Sequence, residues 1–311
     1  MKKNPIGITM IGDPFLLKAS DGKYYLYATT FQKDVPNYCG FHVWVSDDLN
    51  SFSKPFECYY QSNRSFGYMD YWAPEVMEYN GKFIMYYSAR RREDDSLRIG
   101  VAISNSPIGP FIDVYEKMPM FDFGYAAIDG HVFIDDDGKK YFYYSRDCSE
   151  NYVNGNRESH IYVAELTDDL LGLKEEGMLL TSPTESYEKC KHKYGDQDVY
   201  WNEGPFVVKY NGLYHLMYSA NFFASNDYCL CAAWSKYPNK GFQKYDQPIL
   251  KKIDGRISGP GHNSVVKLGE NDYLCVYHVL TDSENPSEDR QVFISKMKFL
   301  NDRIVIEQPK L

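Results

Sequence analysis

Five stretches of this chain repeat one pattern of apolar and polar positions: a short apolar strand, a polar turn, then a tyrosine-rich strand. They are DPFLLKASDGKYYLYATT from Asp13, WAPEVMEYNGKFIMYYSA from Trp72, DGHVFIDDDGKKYFYYSR from Asp129, EGPFVVKYNGLYHLMYSA from Glu203 and HNSVVKLGENDYLCVYHV from His262. The starting residues lie 59, 57, 74 and 59 positions apart. Eleven positions separate Asp13 from Tyr24, Trp72 from Phe83, Glu203 from Tyr214 and His262 from Tyr273, and twelve separate Asp129 from Tyr141. Asp21-Gly22, Asn80-Gly81, Asp137-Gly138 and Asn211-Gly212 are hairpin dipeptides that tolerate positive φ, and Gly269-Glu270-Asn271-Asp272 takes that place in the fifth repeat. A third strand follows in each, from Phe41, Arg98, His160, Tyr228 and Arg290, with shorter extended pieces from Phe111 and Met178. No run has helical periodicity beyond about two turns. Such repetition predicts an all-β, five-bladed β-propeller, with residues 1–311 forming a single catalytic domain.

In an up-and-down meander the tight first turns lie on one face. The long connections, 31–40, 90–97, 147–159, 221–227 and 280–289 within repeats and 51–71 and 182–201 between them, lie on the other. Irregular loops on a rigid scaffold commonly carry binding and catalysis. The five starting residues belong to that face, around the axis, so Asp13, Asp129 and Glu203 are expected at equivalent positions of one mouth together with Trp72 and His262. Any one acid alone reads as a turn or capping group. Three converging on an axis repel one another, an arrangement kept for chemistry more often than for stability.

Composition narrows the chemistry. Aromatic residues make up 16% of the chain, with 29 Tyr, 18 Phe and 4 Trp, which suits strands and equally suits stacking on sugar rings. A net charge of −9 argues against nucleic acid or an anionic membrane as partner, and no apolar run approaches the ~18 residues of a membrane span. The seven cysteines form no metal-binding pattern; they read as free thiols of a reducing compartment. The start, MKKNPIGITMIGDPF, has no apolar signal-peptide core, so a cytoplasmic location is expected unless a leader was removed. Oligomeric state is not legible.

Glycoside hydrolysis needs two carboxyl groups flanking an anomeric carbon, one protonated and one ionised, and a third acid nearby tunes the proton donor. The motifs Asp13-Pro14-Phe15, Trp72-Ala73-Pro74-Glu75, Ile128-Asp129-Gly130, Glu203-Gly204-Pro205-Phe206 and Gly259-Pro260-Gly261-His262-Asn263, with Ser104–Phe111 between them, occur in order along the chain. In these the chain resembles glycoside hydrolase family 43 over essentially its whole length. The resemblance implies an inverting mechanism with Asp13 as general base, Glu203 as general acid and Asp129 as modulator of the Glu203 pKa. It also implies substrate contacts from Trp72, a wall of the sugar pocket, and from Arg290. His262 resembles a family histidine near the channel axis, which in some members helps hold a calcium ion through water; no cofactor is otherwise required. Gly130 departs mildly from the family pattern, where Pro or Ala is frequent. The run Asp135-Asp136-Asp137-Gly138 lacks the spaced ligands of a calcium loop.

The expected substrate is an oligosaccharide or polysaccharide with pentose linkages, and the favoured activity is an exo-acting α-L-arabinofuranosidase. β-Xylosidase, or an endo-acting arabinanase or xylanase, is the alternative. Tyr59, Tyr60, Phe66, Tyr68, Tyr71, Tyr187 and Trp201 are the loop aromatics available to shape the mouth. A non-catalytic carbohydrate-binding propeller would keep the aromatics but lose a carboxylate. The fructoside branch is disfavoured, because Asp13 is not in an Asn-Asp-Pro-Asn motif.

Overall fold

The second strand of each repeat has no polar face because it is buried on both sides. In Tyr24–Thr30, the side chains of Tyr25 and Tyr27 enter one core and those of Leu26 and Ala28 another. Tyr141 and Tyr143 divide from Phe142 and Tyr144 in the same way, as the two-residue period of a strand requires. The computed structural model describes residues 4–35 and 37–309.

Among these residues the strands form five antiparallel meanders, here called units. Unit one comprises Thr9–Lys18, Tyr24–Thr30, Gly40–Ser46 and Phe56–Tyr60. Unit two comprises Gly67–Tyr79, Lys82–Arg91, Leu97–Ser104 and Ile112–Asp113. Unit three comprises Ala127–Ile134, Lys140–Arg146, Asn156–Glu165 and Met178–Thr181. Unit four comprises Gln197–Tyr210, Leu213–Ala220, Cys229–Ser235 and Gln243–Lys244. Unit five comprises Gly261–Gly269, Asp272–Leu280, Arg290–Leu300 and Arg303–Ile306. The helical content of the described residues is one 3-10 turn, Ser186–Glu188.

Apolar cores lie between units one and two, two and three, three and four, four and five, and five and one, so the packing closes on itself. The buried tyrosines also lock neighbouring units. The hydroxyls of Tyr27, Tyr86 and Tyr143, at matching positions, donate to the carbonyls of Pro107, Leu170 and Pro238 in the next unit, at 2.5, 2.8 and 2.7 Å. The acidic run at 135–137 ties units three and four together in a similar way, since Asp135 accepts from Lys209 and Tyr214 of unit four, each at 2.5 Å.

Closure between units five and one uses the N-terminal segment. Thr9 and Ile11 pair with Gln291 and Arg290, and the Asn4 side chain both donates to the Ile294 carbonyl and accepts from its N–H, at 2.9 Å each.

The first strand of every unit carries a bulge, and there the structure corrects one expectation. The bulged residues, all with positive φ, are Asp13, Ala73, Asp129, Gly204 and His262. Glu203 and Trp72 are therefore not equivalent to Asp13; each stands one residue earlier, beside Ser219 and Ser88 on the second strand. The cause is hairpin length. Units two and four turn on two residues, Asn80-Gly81 and Asn211-Gly212, whereas unit one needs three, Ser20-Asp21-Gly22, between the paired Ala19 and Lys23. Counting eleven positions back from the second strand thus lands one residue short of the bulge in units two and four.

Candidate active site

The five bulges make a ring of hydrogen bonds. Each bulged N–H points at the preceding unit: Ala73 donates to Thr29 Oγ1, Asp129 to Ser88 Oγ, His262 to Ser219 Oγ and Asp13 to His278 Nδ1, at 2.7–3.2 Å. Unit four breaks the series. Gly204 N–H donates to the Asp129 carboxylate at 3.0 Å, and the hydroxyl at the matching place, Ser145 Oγ, is buried without a partner.

Above the ring opens a cavity of about 590 Å³ whose wall includes Asp13, Trp72, Asp129, Glu203, His262 and Arg290, all six residues singled out in the sequence. Its size is that of a small-molecule site. The aromatic rings around it are Phe31, Tyr38, Tyr71, Trp72, Trp201, Phe222 and Phe223. Of the loop aromatics expected at the mouth, Tyr71 and Trp201 are there. Tyr59 and Phe66 instead pack in the core between units one and two, Tyr60 is exposed, Tyr68 pairs with Asp95, and Tyr187 donates to the Tyr245 carbonyl.

Asp13 is almost enclosed. Its Oδ2 accepts from Thr29 at 2.6 Å, and its Oδ1 lies 3.2 Å from Arg290 Nη1 and 3.3 Å from His262 Nδ1. Burial alone would raise this carboxyl, but His262, Arg290 and the Thr29 hydroxyl outweigh it and hold Asp13 well below the usual carboxylate range. His278 contributes otherwise. Its Nδ1 accepts the Asp13 N–H, and its burial drives its own pKa far down, so it orients the backbone as a neutral ring. Arg290 is no surface group: it is buried, with its guanidinium against the rings of Phe31 and Phe223.

Glu203 has the opposite surroundings. It accepts from the Tyr228 hydroxyl at 2.8 Å and has no cation within ion-pair distance among the described residues. Burial, with the nearby charge of Asp129 and Asp147 added, pushes Glu203 well above the carboxylate range. Asp129 is raised too, chiefly by burial, with His262 and the Gly204 N–H opposing the rise. Two glycines make room for the groups that set this contrast. A Cβ on Gly12 would sit 2.1 Å from Arg290 Nη2, and one on the matching Gly261 would sit 1.9 Å from the Tyr228 ring.

His262 also borders a small axial cavity of about 20 Å³ touched by all five units. That space holds about one water, whereas calcium takes about six to eight oxygen ligands. Among the described residues no three His, Cys, Asp or Glu side chains converge on a metal position. The axial space is too small for a calcium ion with its ligands, while His262 also lines the larger cavity.

Thr29, Tyr228, His278 and Asp147 escaped the sequence reading. Thr29 and His278 carried a signal, since Thr29, Ser88, Ser145, Ser219 and His278 close the five tyrosine-rich strands at one column of the repeat. Tyr228 and Asp147 follow irregular loops and strand ends, where repetition says nothing.

The chain is similar over most of its length to proteins of known family and structure. The sequence profile described as glycosyl hydrolases family 43 matches residues 2–305. A thermostable family-43 glycoside hydrolase of known structure is 42% identical, with a TM-score of 0.90 over 100% of this chain and 97% of that one. A xylosidase/arabinosidase of Bacteroides ovatus is 27% identical over 92% of this chain and 91% of its own length. A β-D-galactofuranosidase of Aspergillus niger is 27% identical over 95% and 82%.

Proposed function

The chain belongs to glycosyl hydrolase family 43, and from that premise we propose that it is an inverting, exo-acting α-L-arabinofuranosidase, built as one five-bladed β-propeller domain over residues 1–311. The five units and the five cores between them support the blade count. The observation that carries the mechanism is the contrast within one cavity: Asp13 held ionised, Glu203 held protonated. Two carboxyls with pKa values pushed apart divide base and acid work between them.

Asp13 takes a proton from a water as that water attacks the anomeric carbon. Glu203 gives its proton to the departing glycosidic oxygen, and the product has inverted configuration. Asp129 keeps Glu203 protonated and, by accepting the Gly204 N–H, fixes the backbone that carries it. Trp72, Phe31 and Phe223 wall the sugar, and Arg290 both holds Asp13 and faces the substrate. This scheme requires no cofactor. A cavity walled by rings from units one, two and four suits the terminal residue of a chain, which supports exo action. β-Xylosidase is the second reading, favoured by the paired xylosidase/arabinosidase name of the Bacteroides relative. The seven unpaired thiols support a reducing compartment.

A panel of nitrophenyl glycosides (arabinofuranoside, xyloside, galactoside, fucoside) tests the activity, with product anomers followed by NMR. Arabinofuranoside cleavage with inversion is expected. Asp13→Asn should abolish it, and Glu203→Gln should slow substrates with poor leaving groups by about 10²–10⁴-fold while sparing activated ones. Retained configuration, or full activity in Glu203→Gln on a poor leaving group, overturns the mechanism.

A further inference from the structure

Two residues past the hydrogen-bonding column at the end of each second strand stands a rim position: Phe31, Arg90, Asp147, Asn221 and Leu280 in units one to five. Phe31, Arg90 and Asp147 line the cavity. The polar members other than Asp147 each have at least two strong partners. Arg90 donates to Asp70 at 2.6 Å and to the Asp95 carbonyl at 2.7 Å. Asn221 accepts from Cys190 N–H and donates to the carbonyls of Tyr187 and Asp227.

Asp147 differs. It is only 7% exposed, yet its carboxylate receives one strong donor, the Ser149 N–H at 2.9 Å on Oδ1. The partner of Oδ2 is the thiol of Cys148, 3.9 Å away. No Lys, Arg or His reaches it among the described residues. A carboxylate offers about four acceptor positions, and burying one with most of them unused costs stability. Its backbone N–H is bonded to Ala126 O at 2.9 Å, and its charge acts on both Asp129 and Glu203 in the same cavity.

Resting on the glycosidase reading above, we propose that Asp147 is a specificity residue that accepts hydrogen bonds from adjacent hydroxyls of the sugar held in the cavity. A carboxylate takes hydrogen bonds only from free hydroxyls. The sugar accepted here is therefore unsubstituted at the positions it turns toward unit three, and on acylated chains ester hydrolysis must come before this cleavage. Asp147 also adds negative charge beside Glu203, so removing it affects the acid as well, and the two effects separate by pH.

The test uses the full chain as wild type, Asp147→Asn and Asp147→Ala. Binding of the free pentose product is measured by titration calorimetry, and kcat and KM on the acidic plateau of the pH profile. Both are repeated with the 2-deoxy and 3-deoxy sugars. In Asp147→Ala the product Kd and the KM should rise about tenfold to hundredfold, with kcat changing far less. A deoxy sugar lacking a hydroxyl that Asp147 holds should lose less affinity from wild type to variant than the parent sugar does. The thermal midpoint of the variants should be unchanged or higher, since an underused buried acid is removed. Unchanged product binding in both variants, or a loss for both deoxy sugars as large as for the parent sugar, overturns the assignment, and so does a lowered midpoint with unchanged Kd. A wild type that neither binds nor cleaves any pentoside overturns the activity reading itself, a result distinct from cleavage that ignores Asp147.

Discussion

Asp13 and Glu203 share a cavity and are buried to similar degrees, so burial cannot be what separates them. The difference is the company each keeps: Arg290, His262 and Thr29 around one, Asp129 and Asp147 around the other, where the Tyr228 hydroxyl only partly opposes the rise. In the proposed mechanism the acid works while Glu203 is protonated, so activity should fall as pH rises through its raised pKa, while Asp13 stays ionised on the acidic side. Asp129→Asn removes a negative neighbour and lowers the Glu203 pKa. The alkaline limb of kcat/KM should then move to lower pH, with the acidic side unmoved, in a pH–rate profile measured on the same glycoside. A limb that stays in place would mean that Asp129 acts on Glu203 through the Gly204 backbone alone. These acids were legible in the sequence because each opens a repeat. What each acid touches was not: Arg290 was expected on the sugar, and only folding sets it and His278, from the far end of the chain, against Asp13.

At the level of strands, the bulge ring connects fold to chemistry, and its broken member offers a comparison within one molecule. Ser88, Ser145 and Ser219 occupy the same column and all are buried, but only Ser88 and Ser219 accept a bulged N–H. Replacing either by alanine orphans a buried donor, at a cost of about 1–3 kcal/mol. Ser145→Ala removes a hydroxyl that has no partner and should be neutral or mildly stabilising. Urea unfolding of the three variants checks this ordering. The strand pattern, the tight turns and the long-loop face could all be read from residue order. The register of the first strands could not, because a hairpin of two or three residues shifts the count by one while leaving the apolar pattern intact. That one residue decides whether Glu203 or Gly204 occupies the bulge.

Across the whole molecule, stability depends on a seam. The segment from Asn4 to Ile11 lies against Arg290–Ile294, and the fifth core joins the last unit to the first. Asn4→Ala breaks both hydrogen bonds to Ile294 in a buried place, so unfolding in urea should come earlier by about 1–3 kcal/mol. The midpoint of wild type and variant, compared with an exposed control such as Asn50→Ala, measures it. The same seam sets an order in time. Thr29 is made soon after Asp13, but His262, His278 and Arg290 are the last of its partners to be synthesised. A nascent chain on the ribosome thus carries Asp13, its proposed base, for most of translation without the charges that tune it. It becomes a working hydrolase only when the final unit has emerged and docked.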